Sequence, residues 1–224
     1  MKISLCHVTK RFGPTAVIDD VSLELHGGRV YGFQGINGSG KTMLMRLIAG
    51  LIYPSEGTVT VNGTVLSGEN SFPESMGLLI ESPSFLGGYT GLRNLELLAG
   101  IRKQIGKKEV EAAIERVGLD PADPKKYRKY SLGMKQRLGI ACAIMEKPEL
   151  LILDEPVNAL DEDGIALVRE IVAREKERGA CVLLSCHDFE ELSYMSDEIY
   201  KLVAGKLTRR MVKEQTGEFR EEQL

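Results

Sequence analysis

No stretch of this sequence approaches the roughly 18 consecutive apolar residues that a membrane-spanning helix needs. The opening residues, Met1-Lys2-Ile3-Ser4-Leu5-Cys6-His7, lack the long apolar core of a secretory leader. Excess positive charge is missing too. The 29 Lys and Arg stand against 32 Asp and Glu, a net charge of -3, so no overall basic field draws the chain to acidic lipid or to nucleic acid, which is not expected as a partner. These absences predict a soluble cytosolic protein. The four cysteines, Cys6, Cys142, Cys181 and Cys186, show no CxxC spacing, and in a reducing compartment they read as small buried hydrophobes. A metal site at Cys181, Cys186 and His187 is disfavoured, because no fourth ligand lies nearby in sequence. Internal repeats, low-complexity tracts and Pro/Ser-rich linkers are also missing, which favours lobes of one domain over separate beads.

What is present is an ordinary globular composition, 43% hydrophobic over 224 residues, enough to bury a core. The first part of the chain reads mainly as strands. Val59-Thr60-Val61 and Thr64-Val65-Leu66 flank Asn62-Gly63, a two-residue hairpin signal. Val30-Tyr31-Gly32-Phe33 reads as a strand leading into a glycine-rich loop, and Met43 to Ala49 as a buried helix closed by Gly50. From about Thr90 to Lys147 the pattern is helical, with helices expected over Asn94–Lys103 and Lys108–Val117, the second ending at Gly118. Leu150-Leu151-Ile152-Leu153 and Cys181-Val182-Leu183-Leu184 are unbroken apolar runs, as in parallel strands covered on both faces. Between them Asp161 to Arg178 is an amphipathic helix stopping at Gly179, which completes a strand-helix-strand crossover and implies an α/β core with a parallel sheet. The charged stretch from Lys213 to Leu224 is expected to be a frayed or exposed tail.

Gly35-Ile36-Asn37-Gly38-Ser39-Gly40-Lys41-Thr42 matches G-x-x-x-x-G-K-[ST], and it lies after a strand and before a helix, where that pattern has meaning. Glycines let successive backbone N–H groups turn inward around phosphate oxygens, and the positive end of the following helix points at the same anion. Lys41 would reach the β- and γ-phosphates and the Thr42 hydroxyl would hold Mg²⁺. A dinucleotide fingerprint fits less well, since no third glycine follows Gly40 at the needed spacing.

Leu150 to Leu153 runs directly into Asp154-Glu155-Pro156, placing two carboxylates at the end of a buried strand. One acid can serve Mg²⁺ while its neighbour orients or deprotonates the water that attacks the γ-phosphate. Asp154 is assigned to the metal and Glu155 to the water. Taken alone, the pair could be a polar turn closed by proline.

At Tyr130-Ser131-Leu132-Gly133-Met134-Lys135-Gln136-Arg137 a Ser-x-Gly turn opens a helix, a second N-terminus able to receive an anion. With the phosphate loop before it and Asp154-Glu155 after it, this segment resembles the signature of ABC ATPases, and the resemblance covers nearly the whole chain. It implies a P-loop NTPase fold with a RecA-like parallel-sheet core, an N-terminal antiparallel β lobe and a helical lobe. The expected division is one domain over 1–224: core and β lobe at about 1–83 and 147–208, helical lobe at about 84–146, tail at 209–224.

The same resemblance implies further roles. Phe12 falls where the family stacks an aromatic ring under adenine, and His187 resembles the histidine that contacts the γ-phosphate. Asn158-Ala159-Leu160-Asp161 resembles the loop that crosses the dimer interface, with Asp161 also an ordinary helix cap. ATP would lie between the phosphate loop of one subunit and the Ser131-Gly133 turn of another, in a homodimer or beside a homologous ATPase subunit. Transport would be driven through a separate transmembrane permease, with this chain cytoplasmic and peripheral on the inner face of the membrane.

Three positions depart from the usual pattern. Leu132 replaces the first of two signature glycines, Met134 stands where glutamine is commoner, and Glu81 takes the place of the glutamine that usually links Mg²⁺ to the membrane partner. This variant looks like the drug-exporter and lantibiotic-immunity ATPases and points to export. The apolar, turn-rich stretch from Ser82 to Tyr89 is the candidate docking surface. A soluble ABC ATPase with a regulatory or assembly role would share every one of these catalytic residues. A P-loop kinase would leave Ser131 to Gly133 and Asn158 to Asp161 unexplained, and a DNA-repair clamp would need a long coiled coil that the chain has no room for.

Overall fold

The computed structural model describes residues 1–68 and 72–223. The chain opens with two long antiparallel strands, β1 (Lys2–Phe12) and β2 (Thr15–His26), and then a short buried strand, β3 (Arg29–Gln34). A loop leads to α1 (Lys41–Ile48), followed by β4 (Glu56–Val61), β5 (Thr64–Val65) and β6 (Met76–Leu79). Three helices come next, α2 (Gly91–Arg102), α3 (Lys107–Arg116) and α4 (Leu132–Ile144). The crossover is β7 (Leu150–Asp154), α5 (Glu162–Glu177) and β8 (Cys181–Cys186), after which α6 (Phe189–Met195) leads into β9 (Glu198–Val203), β10 (Lys206–Lys213) and β11 (Phe219–Glu222).

The strands form two sheets. One is antiparallel in the order β2-β1-β4-β5, and the other runs β11-β10-β9-β3-β8-β7-β6, with its five strands from β9 to β6 parallel. The hairpin joining β4 to β5 turns at Asn62 and Gly63, whose φ values of 49° and 83° are the left-handed pair this tight turn requires. The architecture is that of a P-loop NTPase, a parallel-sheet core with an antiparallel β lobe and helices packed on the sheet.

The unbroken apolar runs explain why that sheet is central. Successive side chains of a strand point to opposite faces. Accordingly Leu150 and Ile152 join the core built by α1 and the antiparallel sheet, while Leu151 and Leu153 join the core built by α3, α4 and α5. Leu183 and Leu184 divide in the same way. Both faces are packed with buried apolar side chains, so the polar groups at the ends of these strands are set by a close-packed frame.

The C-terminal stretch corrects an expectation. Instead of fraying, β10 pairs antiparallel with β9 and β11 with β10, with residue 224 outside the described residues. Its charges meet across strands. Arg210 pairs with Glu222 and with the buried Glu198, and Arg209 pairs with Glu221. Met211 and Phe219 supply the apolar anchor, Phe219 lying edge-on to Phe189 at 6.0 Å between ring centres.

Candidate functional site

The loop between β3 and α1 is shaped by close backbone approach. Gly40 sits at φ 109°, and a Cβ there would lie 2.8 Å from the Val17 carbonyl oxygen. A side chain at that position is excluded both by conformation and by space. No side chain caps the first turn of α1, so its N–H groups face the loop. The Ser39 hydroxyl is buried without a hydrogen-bond partner among the described residues, as is Oε1 of Glu155. Buried polar atoms of this kind call for a ligand, and a triphosphate with its ion fits both the uncapped N–H groups and the orphaned oxygens.

Lys41 is buried and donates to the carbonyl oxygens of Gly35 (2.6 Å) and Ile36 (3.3 Å), and its Nζ lies 3.6 Å from Oε1 of Glu155. Thr42 donates from its hydroxyl to Oδ2 of Asp154 at 2.8 Å. A hydroxyl and a carboxylate in contact form a hard oxygen pair suited to Mg²⁺. Glu155, one residue on, adopts a left-handed φ of 48°, which ends β7 abruptly and turns its carboxylate out of the sheet. Its Oε2 lies 3.2 Å from Nδ1 of His187, at the end of β8. The structure therefore brings Lys41, Thr42, Asp154, Glu155 and His187 together from the phosphate loop, α1 and two adjacent strands.

Phe12 is 53% exposed at the end of β1, with the Lys10 ammonium 5.2 Å from its ring centre. Together with Val17, Asn37, Gly38, Ser39, Gly40, Lys41, Thr42 and Glu155 it lines a cavity of about 390 Å³. Gly35 is behind the loop, where a Cβ would meet Ser39 Oγ at 2.3 Å and the Leu202 carbonyl oxygen at 2.6 Å.

Ser131 lies elsewhere. Its side chain caps α4 by accepting from the Met134 N–H at 3.2 Å. Gly133 packs on the Asn158 to Asp161 segment, a Cβ there lying 3.0 Å from the Ala159 carbonyl oxygen. Asp161 caps α5 through the Gly164 N–H and accepts from Arg137 at 2.9 Å, and these two donors, in that order, lower its carboxyl pKa. Ser131, Gly133 and Asp161 line a separate cavity of about 710 Å³ that shares no residue with the phosphate-loop cavity. Leu132, beside them, is 73% exposed. Glu81 joins neither group. It stands at φ 59° after β6 and pairs with Arg46 of α1 at 2.6 Å.

Three contributors escaped the sequence reading. Ser185, fully buried on β8, donates to Oδ1 of Asp154 and accepts from the Glu155 N–H at 2.9 Å. Its signal was a single hydroxyl in an otherwise apolar strand. Gln136 of α4, also buried, donates to the carbonyl oxygens of Glu155 (3.2 Å) and Pro156 (3.1 Å), tying the Ser131 helix to the carboxylate turn. Arg46 is the third, through its pairing with Glu81.

Comparisons with known proteins agree with this architecture. Residues 18–158 match the family described as "ABC transporter". The chain is 43% identical to the "Uncharacterized ABC transporter ATP-binding protein YybJ" of Bacillus subtilis, over 92% of this chain and 94% of that protein. It is 42% identical to the "Bacitracin transport ATP-binding protein BcrA" of Enterococcus faecalis, over 90% of this chain but only 66% of that longer protein. Among solved structures, an "ATP binding subunit of ABC transporter" superposes with a TM-score of 0.85 at 25% identity, covering 95% of this chain and 90% of that one.

Proposed function

The chain belongs to the ABC transporter family as an ATP-binding, ATP-hydrolysing subunit, and on that premise we propose how its residues divide the work and what it drives. The observation that carries the reading is one chain of contacts around the phosphate-loop cavity, which Lys41, Thr42 and Glu155 line, with Asp154 bonded to Thr42 and His187 beside Glu155, while Ser131 and Gly133 lie apart on another cavity. Thr42 and Asp154 would hold Mg²⁺, which when bound offsets charge on the β- and γ-phosphate oxygens. Lys41 and the uncapped N–H groups at the start of α1 would hold the phosphates, and Phe12 offers its exposed face to the base. Glu155 orients the attacking water and accepts its proton, and His187, beside Glu155, contacts the γ-phosphate. Phosphoryl transfer depends mainly on such positioning and charge compensation.

Because Ser131 and Gly133 lie on their own cavity, they serve the nucleotide of a second subunit. Two copies, or one copy and a homologue, close head to tail with ATP between them. Asp161 lies at that junction. Hydrolysis removes the contacts that favour closure and shifts the population towards the open pair.

The partner driven by this cycle is a separate transmembrane permease, which places the chain peripherally at the cytoplasmic face. Among the described residues no helix is long and apolar enough to cross a membrane. The variants at Leu132, Met134 and Glu81, and the likeness to a protein named for bacitracin transport, support a transporter working as an exporter. The docking surface is the segment from Ser82 to Tyr89. Phe85 packs edge-on to Tyr127 at 5.3 Å while Leu86 and Tyr89 stay exposed, and Glu81 to Phe85 line a cavity of about 450 Å³ with Arg46, Leu51 and Cys142. Purifying the tagged protein from native membranes in mild detergent tests this reading. A stoichiometric companion with several membrane spans is the expected result, and recovery with soluble partners alone, absent from membranes, would overturn it.

A further inference from the structure

Cys186 has no part in the mechanism above, yet its sulfur stands among the groups that do. One carboxylate oxygen of Glu155, the sulfur of Cys186 and a ring nitrogen of His187 all lie within 4.8 Å of one another. In sequence Cys186 and His187 are neighbours at the end of β8, and the only other cysteine near them is Cys181, at the opposite end of that strand. The fold supplies a different third ligand by laying β7 beside β8, with Asp154 level with Ser185, so that Glu155 follows at the same edge.

We propose that Glu155, Cys186 and His187 form a binding site for Zn²⁺. Oxygen, sulfur and imidazole nitrogen are the donor types that this ion takes, and three protein ligands leave a fourth position for water or a phosphate oxygen. Zn–S near 2.3 Å and Zn–N or Zn–O near 2.0–2.2 Å put bound ligand atoms roughly 3.5 Å apart, so closure by about 1 Å completes the site. His187 can supply that movement, its side chain being 63% exposed. The thiol loses its proton to solvent when the ion binds. Mg²⁺ does not compete, because its hard-oxygen preference is met at Thr42 and Asp154 and sulfur suits it poorly.

The consequence for turnover rests on the roles proposed for Glu155 and His187, whereas the binding does not. An ion held by both side chains withdraws the water-orienting carboxylate and the γ-phosphate contact together, so free Zn²⁺ stops hydrolysis without blocking the phosphate loop.

The test titrates Zn²⁺ into nucleotide-free protein against a chromogenic chelator, and repeats the titration with Co²⁺ followed by absorption. One ion per chain is expected, with a thiolate-to-Co²⁺ charge-transfer band. Cys186→Ser should abolish the band and weaken Zn²⁺ binding by at least about 10-fold, the lower end of what even outer-shell changes cost a metal site. Cys6→Ser should change neither. If Cys186→Ser fails to fold, His187→Ala at its exposed position supplies the affinity comparison instead, with weakened Zn²⁺ binding expected and equal affinity overturning the site. Equal Zn²⁺ affinity in native and Cys186→Ser protein, or a Co²⁺ complex without the thiolate band, overturns the site. In buffered free Zn²⁺, native ATP turnover should fall while Cys186→Ser keeps its rate. Binding with the thiolate signature but with native turnover unaffected would support the site and overturn the hydrolytic roles of Glu155 and His187.

Discussion

Replacing Ser185 by alanine removes one oxygen from the centre of the molecule and tests how the acidic pair is held. The side chain is fully buried, its hydroxyl donates to Asp154 Oδ1, and its oxygen accepts from the Glu155 N–H at 2.9 Å. That N–H also reaches the Ser185 carbonyl oxygen at 3.2 Å, so it keeps a partner in the variant. Among the described residues Asp154 is then left with Thr42 as its hydrogen-bond donor and with one carboxylate oxygen unsatisfied. The volume change is small, so the cost is that of a lost hydrogen bond to a buried charge, about 2–3 kcal/mol. A domain of this size melts roughly 2–4 °C lower per kcal/mol, which predicts a Tm drop of about 4–12 °C in nucleotide-free buffer. Turnover should fall as well, with a higher Mg²⁺ requirement, because the metal-holding acid is less firmly placed. Ser193→Ala is the control, its hydroxyl reaching the Glu190 carbonyl oxygen one turn back on α6, and it should stay within about 0.5 kcal/mol of native. Melting of Ser185→Ala within about 1 °C of native would refute this reasoning.

Other outcomes follow from the same geometry. Leu86→Glu places a charge on an exposed side chain, so membrane co-purification and partner-stimulated ATPase should be lost with the melting curve unchanged; intact association would remove the docking surface from Ser82 to Tyr89. Arg210→Ala takes one of two arginines from the buried Glu198, leaving Arg29, and should lower urea stability by about 1.5–3 kcal/mol; no change would mean that β10 contributes nothing. Burial pushes the Cys142 thiol up to about 11 and the Cys181 thiol up to about 12, so brief alkylation of native protein at pH 8 should label exposed Cys6 and spare both, as peptide mapping would show. In the unfolded chain these thiols ionise near the ordinary thiol value, so their burial costs stability as pH rises through that value towards the folded ones, and the urea midpoint should decline there.

Much of this was legible because it is local. The loop from Gly35 to Thr42, the Asn62-Gly63 hairpin and the Ser131 and Asp161 caps are encoded by residues a few positions apart, and the apolar runs of β7 and β8 announce a strand covered on both faces. What escaped depends on elements distant in sequence. Ser185 matters because β8 lies level with β7, and Gln136 because α4 packs over the carboxylate turn. Neither is visible along one segment. The C-terminal charges were misread for a related reason: Arg209, Arg210, Glu221 and Glu222 look like a solvated tail until they are placed opposite one another across a hairpin. Arg46 is a further case, since its pairing with Glu81 joins α1 to the end of β6, again a contact between separate elements.

The division of labour between subunits is tested most directly by Glu155→Gln with Mg-ATP, followed by size-exclusion chromatography with light scattering and by phosphate release. The carboxamide keeps the shape of the side chain but cannot accept the water's proton, so ATP should bind and persist. The account predicts a stable ATP-dependent species of twice the 24.7 kDa chain mass, with little hydrolysis, that does not form when Ser131 is also replaced by alanine. Hydrolysis at the unmodified rate, or a chain that stays monomeric in saturating Mg-ATP, would contradict it.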